Sequence, residues 1–242
     1  MTPLVHAELL KIRTLRSTAW ALLGLLGIVA VTVLATLSDA GSPGFRSPAS
    51  LREPLLAVGY LTALTMALLA ATATAGEFRH HTISQRYLAS PGRVRVLAVK
   101  LGTYGLVAIV VTAVVVGLTI AIEAPMLAGK DLTLGLGGSE LARLAGGVLV
   151  TAGLLTALGA IVGMATRNPT TAVIAIFGLL LGEKIAGGLL GDLGHFLPFT
   201  LVECVLGLGG ATPWGLAALL LATATLVAAI TTARVLVPRD VT

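Results

Sequence analysis

The chain has 242 residues, of which 56% are hydrophobic and only 11% are charged, and its mean hydropathy is +0.99. Soluble domains carry roughly 25% charged residues, so this composition excludes a soluble globular protein and indicates an integral membrane protein. The net charge of +5 does not indicate nucleic-acid binding, because the basic residues are scattered over short connections. The single cysteine, Cys204, excludes an internal disulfide and a multi-cysteine metal site.

The first predicted element is an amphipathic interface helix within residues 1–17. Val5, Leu9 and Ile12 recur at helical spacing beside several basic residues. Such a helix is expected to lie on the membrane surface. The alternative is a basic tail that only sets the orientation of the chain.

Six apolar segments follow, and each is expected to cross a hydrocarbon core of about 30 Å. The connections between them are too short for a separate soluble domain, so residues 1–242 are predicted to form a single all-α transmembrane domain. The predicted spans are 18–37, 55–75, 101–122, 141–165, a fifth span that starts near residue 170, and 213–235.

The end of the fifth span is ambiguous, because residues 170–182 are too few to cross the bilayer. The span must continue through Glu183 and Lys184 to about residue 190, or stop short. Residues 187–212 are broken by glycines and Pro198. They are predicted to form re-entrant or interfacial helices between spans five and six, with an additional span as the alternative.

Glu183 is a candidate functional residue, because an ionisable group at membrane depth usually faces a cavity or a partner. It lines a substrate path or pairs across subunits, or it marks a helix end near the outer surface together with Lys184. Neighbours on a helix point about 100° apart, so these two side chains are not expected to pair with each other. Glu123 and Glu203 are interpreted as boundary charges.

Glycine pairs at helix-packing spacing occur in spans four and five. Gly159-xxx-Gly163 and Gly178-xxx-Gly182 both have the spacing that lets two helices approach closely. Among 29 glycines such pairs also arise by chance. They are therefore only weak indications of packing.

The distribution of basic residues predicts that both termini are cytoplasmic. In that topology five basic residues are outside, and the inner segments hold the other eleven of the 16: Lys11, Arg13, Arg16, Arg79, Arg86, Arg93, Arg95, Lys100, Arg167, Arg234 and Arg239. Positive charge is enriched in the cytoplasmic segments of membrane proteins.

Residues 76–100 form the longest basic interruption and lie between spans two and three. Ser90 followed by Pro91 is typical of a helix start, so a helix is predicted to run from there through Arg93 and Lys100 into the third span. Residues 82–88 are expected to form a short helix or turn before it. This elbow is suited to transmit motion into two spans at once.

The sequence shows no catalytic or cofactor-binding signature. It contains no phosphate-binding glycine loop, no H-E-x-x-H zinc motif and no G-x-S-x-G nucleophile elbow. The four histidines are not spaced as metal ligands. We therefore predict that this chain is not an enzyme and holds no cofactor or metal of its own.

The arrangement resembles the membrane subunits of type-2 ABC exporters. In that family a Gly-Glu pair after the second span is followed by Thr, Leu, Pro, a basic residue and Lys. The matching residues here are Gly76, Glu77, Thr82, Leu88, Pro91, Arg93 and Lys100. The segments Glu8-Leu-Leu-Lys11 and Arg239-Asp240-Val241 also look like that family.

The resemblance implies that residues 82–91 are a coupling helix bound by a separate ABC ATPase subunit. The ATPase-coupling residues would be Glu77, Thr82, Leu88, Pro91 and Arg93. A second permease copy, in a homodimer or a heterodimer, would complete the pathway, and ATP and Mg would bind the partner ATPase.

The resemblance also implies export of a drug, peptide or lipid across the cytoplasmic membrane. The alternative function is that of an ion-driven carrier or an intramembrane enzyme that works without an ATPase. A structural or assembly subunit is a third interpretation.

Overall fold

The computed structural model describes residues 2–14, 16–39, 48–79, 93–129, 138–208 and 212–236. All regular elements in these residues are helical, with a 3₁₀ helix at Gly191–Phe196 and α-helices at the following positions: α1 (Thr2–Thr14), α2 (Arg16–Asp39), α3 (Pro48–Arg79), α4 (Arg93–Ala128), α5 (Gly138–Thr166), α6 (Pro169–Leu190), α7 (Pro198–Leu206) and α8 (Trp214–Leu236). Six of these helices, α2 to α6 and α8, are long and apolar enough to cross a membrane. The chain is an all-α multi-pass membrane protein, as the sequence predicts.

Helices α3 and α5 form the centre of the bundle. More than half of the most apolar stretch of each is buried, whereas the other four spans bury less than a third. A Cβ atom added to Gly159 of α5 would collide with the carbonyl oxygen of Ala67 on α3, and one added to Gly163 would collide with that of Ala71. The absence of side chains at these two glycines therefore lets the backbones touch, which favours van der Waals packing in a bilayer.

The two glycine pairs noted in the sequence behave differently. Gly159 and Gly163 form the contact with α3, so the first pair is a packing motif. Gly178 and Gly182 of α6 are exposed, and nothing lies within 4 Å of a Cβ atom placed on either. The same spacing thus serves packing within the described chain only in α5.

Contacts between helix ends define two ends of the bundle. At one end, Leu97 of α4 and Met164 of α5 pack with Phe78 of α3 and Ala233 of α8. Helix α1 also lies here, so we call it the α1 end. At the opposite end, which we call the α7 end, buried residues of α7 pack with parts of α3, α5 and α8.

Several helices are longer than the predicted spans. Helix α3 begins at Pro48 and contains Pro54, and α4 continues to Ala128 with Pro125 in its last turn. The apolar run measures only the part that faces hydrocarbon, whereas backbone hydrogen bonding continues the helix beyond it. Helix α6 extends to Leu190 and includes Glu183 and Lys184, which agrees with the longer of the two alternatives for span five.

Several threonine hydroxyls inside the bundle donate hydrogen bonds to their own helices, whereas those of Thr112, Thr151 and Thr156 have no hydrogen-bond partner among the described residues. Thr62 donates to the carbonyl oxygen of Val58 at 2.7 Å, Thr119 to that of Val115 at 2.9 Å, and Thr225 to that of Leu221 at 2.7 Å. These bonds satisfy polar groups that have no water available in a bilayer. They lower the cost of burying these three hydrogen-bonded threonines in apolar spans.

The turn between α5 and α6 is closed by a helix cap. Asn168 is the N-cap of α6, its side-chain oxygen accepts hydrogen bonds from the backbone N–H of Thr170 (2.9 Å) and of Thr171 (3.4 Å), and Pro169 is the first helical residue. Proline fits that position because its missing N–H would have no helical partner there. The fifth span, which the sequence predicts to start near residue 170, lies on a helix that begins at Pro169.

We expect Asn168→Ala to lower the free energy of unfolding by about 1 kcal/mol, because it leaves the first N–H groups of α6 without their acceptor. Thermal unfolding in detergent measures the loss. Asn168→Asp is the matched control, because aspartate caps helices about as well as asparagine. An equal loss in both variants would show that the cap is not the cause.

Candidate functional site

Three helices are joined at the α1 end by a buried cluster of charged residues. Lys100 of α4 is 1% exposed, and its Nζ donates to Oε1 of Glu8 at 2.8 Å and to Oε1 of Glu77 at 2.7 Å. Glu8 belongs to α1 and Glu77 to α3, and both are buried. One ammonium group therefore connects α4 to two other helices.

Lys11 adds a second cation to this cluster. Its Nζ donates to the same Oε1 of Glu77 at 2.5 Å and to the carbonyl oxygen of Ala73 at 2.8 Å. Glu77 thus accepts from a lysine of α1 and from a lysine of α4. We call Glu8, Lys11, Glu77 and Lys100 the charge network.

The charge network forms because α1 presents one face to the bundle. Residues three and four apart on a helix share a face, so Glu8, Lys11 and Ile12 point the same way. Ile12 is buried against apolar residues of α3, α4 and α5, including Leu69 and Tyr104. The apolar contact and the ion pairs therefore hold α1 in one orientation.

The four formal charges of the charge network sum to zero. A buried charge is costly unless it is paired and hydrogen-bonded. Removing one member of such a group is expected to be far more damaging than removing an exposed pair, because it leaves an uncompensated charge in the interior. The network therefore makes the relative positions of α1, α3 and α4 mutually dependent.

The charge network contains a residue on each side of residues 80–92, which are part of the basic segment 76–100. Glu77 lies two residues before the end of α3, and Lys100 lies two turns after Arg93, the first residue of α4. The residues between these helices, 80–92, lie outside the described part of the chain. The network thus ties together the two helices that lead into and out of that segment.

The predicted coupling residues have different outcomes. Glu77 is placed in the charge network, and α4 runs from Arg93 through Lys100 into the third span, as predicted. Thr82, Leu88 and Pro91 lie outside the described residues. Glu77 and Lys100 are not solvated loop charges, because both lie in helices and are buried.

The α5–α6 turn also contacts the end of α3. The guanidinium of Arg167 lies over the ring of Phe78, 5.4 Å from its centroid. Arg167 has a φ of 55°, an uncommon conformation for a residue with a side chain. This cation–π contact joins a second loop to the residue that follows Glu77.

Glu183 lies at the α7 end of the bundle, whereas the charge network lies at the α1 end. It is buried, and its Oε2 accepts from the backbone N–H of Phe199 at 2.7 Å. Lys184 is exposed and forms an ion pair with Glu203 of α7. The expectation that Glu183 and Lys184 turn to different partners is confirmed.

The boundary charges also find partners inside the protein. Glu123 is 1% exposed, and its Oε1 accepts from the hydroxyl of Thr36 at 3.1 Å, which joins α4 to α2. Glu203 pairs with Lys184. Glu123, interpreted from the sequence as a boundary charge, is buried, because α4 continues past it and the bundle covers it.

Sequence reasoning missed the pairing within the charge network. The short sequence motifs contain all four residues of the charge network, but they do not indicate that these residues are partners. The available signal was the equal number of acids and lysines near the predicted membrane surface, with Glu8 and Lys11 on one face of a helix. The hydrogen-bonded partners are separated by 23 to 92 positions in the sequence, so only helix packing brings them together.

The side chains at this end of the bundle make contacts between helices. Among the described residues, no group of three or more His, Cys, Asp or Glu side chains is placed to hold a metal ion. The charge network instead connects helices.

No protein-family model matches this sequence, and no curated protein matches it.

Proposed function

We propose that this chain is the membrane subunit of an ATP-driven exporter of the type-2 ABC kind. It works with a second permease copy and with separate ATPase subunits that bind ATP and Mg. It moves a hydrophobic or amphiphilic compound outwards across the cytoplasmic membrane, and its α1 end faces the cytoplasm together with both termini. The charge network is the observation that carries this proposal.

The charge network supports the proposal because it makes a rigid base for residues 80–92. A force applied to that segment acts on the end of α3, which carries Glu77, and on the start of α4, which carries Lys100. The two helices are joined there, because Lys100 and Lys11 both donate to Oε1 of Glu77. Helix α1 is included through Glu8 and Lys11. The three helices are therefore expected to move together.

The position of α3 extends this argument to the rest of the bundle. Its backbone touches α5 at Gly159 and Gly163, so a displacement of α3 is passed to α5. Packed interiors transmit strain because they have few voids into which side chains can relax. A push on residues 80–92 is thus delivered to the centre of the membrane domain.

The distribution of basic residues supports the proposed orientation. In the topology predicted from the sequence, the cytoplasmic segments hold eleven of the 16 basic residues. Positive charge is enriched on the cytoplasmic side of membrane proteins. An ATPase in the cytoplasm therefore has access to residues 80–92.

The proposal is tested by reconstituting the chain with ABC ATPases from the same genome, starting with a neighbouring gene. We expect one ATPase to co-purify with the chain, and we expect transport of a panel of amphiphiles to require its ATP hydrolysis. Transport that persists without any ATPase would instead favour an ion-driven carrier. Absence of a stable complex with any ATPase would overturn the proposal.

We expect Leu88→Ala to weaken ATPase binding by about 2 kcal/mol, or roughly thirtyfold in affinity, as for an apolar anchor of an interface. Binding of the purified ATPase to the chain in detergent measures the change. Leu189→Ala is the matched control, because Leu189 is 83% exposed on α6 and lies at the α7 end. Equal affinities for the two variants would contradict a coupling role for residues 82–91.

A further inference from the structure

A small apolar cavity lies between α3, α5, α6 and the start of α7. Its volume is about 70 Å³. Apolar side chains form most of its wall, among them Leu155, Leu158, Ile176, Leu179, Pro198 and Phe199. Leu179 is 51% exposed, so the cavity wall continues to the surface of the bundle.

Among the described residues of the cavity wall, Glu183 is the ionisable one, and its carboxylate is hydrogen-bonded to the protein backbone. Its Oε2 accepts from the backbone N–H of Phe199 at 2.7 Å. The cavity therefore borders the methylene groups of Glu183 and not a free carboxylate. A polar or charged ligand group would lose its hydration here without gaining hydrogen bonds.

Glu183 also determines where the start of α7 lies. The N-cap of α7 is Leu197, which supplies no side-chain hydrogen bond, and Pro198 is the first helical residue. The free N–H groups at a helix start need acceptors, and the carboxylate of Glu183 supplies one from a neighbouring helix. This bond positions Pro198 and Phe199, which are both part of the cavity wall.

The surroundings determine the chemistry of the occupant. Helices α3, α5 and α6 all cross the bilayer by length and composition, so the phase next to the bundle surface is hydrocarbon. An apolar cavity of about 150 Å³ binds benzene, so this smaller cavity of about 70 Å³ has room for only a short hydrocarbon segment. The end of an acyl chain fits both the apolar wall and the volume.

We propose that this cavity binds the chain end of a fatty acyl group, and that Glu183 is a positioning residue that holds the α7 side of the cavity in place. The inference goes beyond the proposed function, because it requires neither an ATPase nor transport. The full chain alone is sufficient to test it.

The probe is a fatty acid with a diazirine near its terminal methyl group, added to the full-length protein in phosphatidylcholine vesicles. We expect photolabelling at the peptides that contain Ile176, Leu179 and Phe199, and we expect unlabelled fatty acid to compete until the label is lost. Labelling that is not saturable and is spread evenly over the exposed faces would overturn the proposal, because it would reflect bulk lipid only.

A cavity-filling variant distinguishes labelling at the cavity from labelling at the lipid-exposed surface. Leu179→Trp places a large ring at the half-exposed cavity wall, and we expect it to abolish saturable labelling. Ile174→Trp is the matched control, because Ile174 is on α6, is 66% exposed and does not line the cavity. Equal labelling of both variants would contradict a site at this position.

The role of Glu183 has a separate readout in Cys204. This residue is the only cysteine in the chain, and it is buried in α7. We expect Glu183→Ala to raise the rate of Cys204 alkylation and to lower saturable labelling, whereas Glu183→Gln retains an acceptor oxygen and stays close to the parent protein. Unchanged alkylation and labelling in Glu183→Ala would overturn the positioning role.

Discussion

Replacing Lys100 by methionine is expected to lower the free energy of unfolding by about 3–5 kcal/mol. The change removes the ammonium group that both Glu8 and Glu77 accept from, and it leaves two buried carboxylates close together with one fewer cation. Thermal or denaturant unfolding in detergent measures the loss. We expect α1 to detach first, which limited proteolysis near the N-terminus reports.

Lys184→Met is the matched control for this prediction, because Lys184 also pairs with a glutamate but is 55% exposed. Exposed ion pairs contribute only about 0–1 kcal/mol. A double variant, Lys100→Met with Glu8→Gln, is expected to recover part of the loss, because the two residues are coupled. Equal losses in Lys100→Met and Lys184→Met would contradict a buried charge network.

Gly159→Ala is expected to be the most damaging of the single-methyl additions, with a loss of about 1–3 kcal/mol. The added Cβ collides with the backbone of α3 at Ala67. A carbonyl group in a helix cannot turn aside as a flexible side chain does, so the two central helices must separate. The unfolding free energy in detergent, or the melting temperature, measures the effect.

Gly178→Ala adds the same methyl group to a glycine of the second pair, where no described residue outside its own helix lies within 4 Å of the added atom. We expect a change within about 0.5 kcal/mol, as for exposed positions without special features. A loss at Gly178 as large as the loss at Gly159 in the isolated chain would show that the α3–α5 contact is not what makes Gly159 sensitive.

Under the proposed function, the two predictions concern different parts of one mechanical path. The charge network ties α1, α3 and α4 at the α1 end, and Gly159 and Gly163 join α3 to α5 in the middle of the bundle. Variants that weaken either contact are therefore expected to reduce any coupling between residues 80–92 and the membrane domain.

Much of the architecture was predictable because membrane spans depend on local composition. An apolar run long enough for the bilayer must be helical, since no water satisfies its backbone. The six spans, the helix start at Pro169 and the short helices between spans five and six follow from such local patterns. The lengths of α3 and α4 were underestimated, because the helix continues past the apolar run on which the prediction depended.

The candidate site was predictable only in part. Glu77 was selected because a short motif contains it, and the prediction placed it in a basic cytoplasmic segment. Its actual partners, Lys11 and Lys100, belong to two other helices. Glu183 was recognised as a charge that needs a partner, but its partner is a backbone N–H at the start of α7, which no side-chain pattern reveals.

The amino-acid sequence by itself determined that this protein is an all-α, multi-pass membrane protein with six spans and a short helix before the first. These properties depend on the transfer of consecutive residues into hydrocarbon, which is a local quantity. Only the tertiary structure decided which charges meet, which glycine pair packs and where Glu183 points. Those outcomes depend on the rotation and depth of helices that are distant in the chain, and packing sets both.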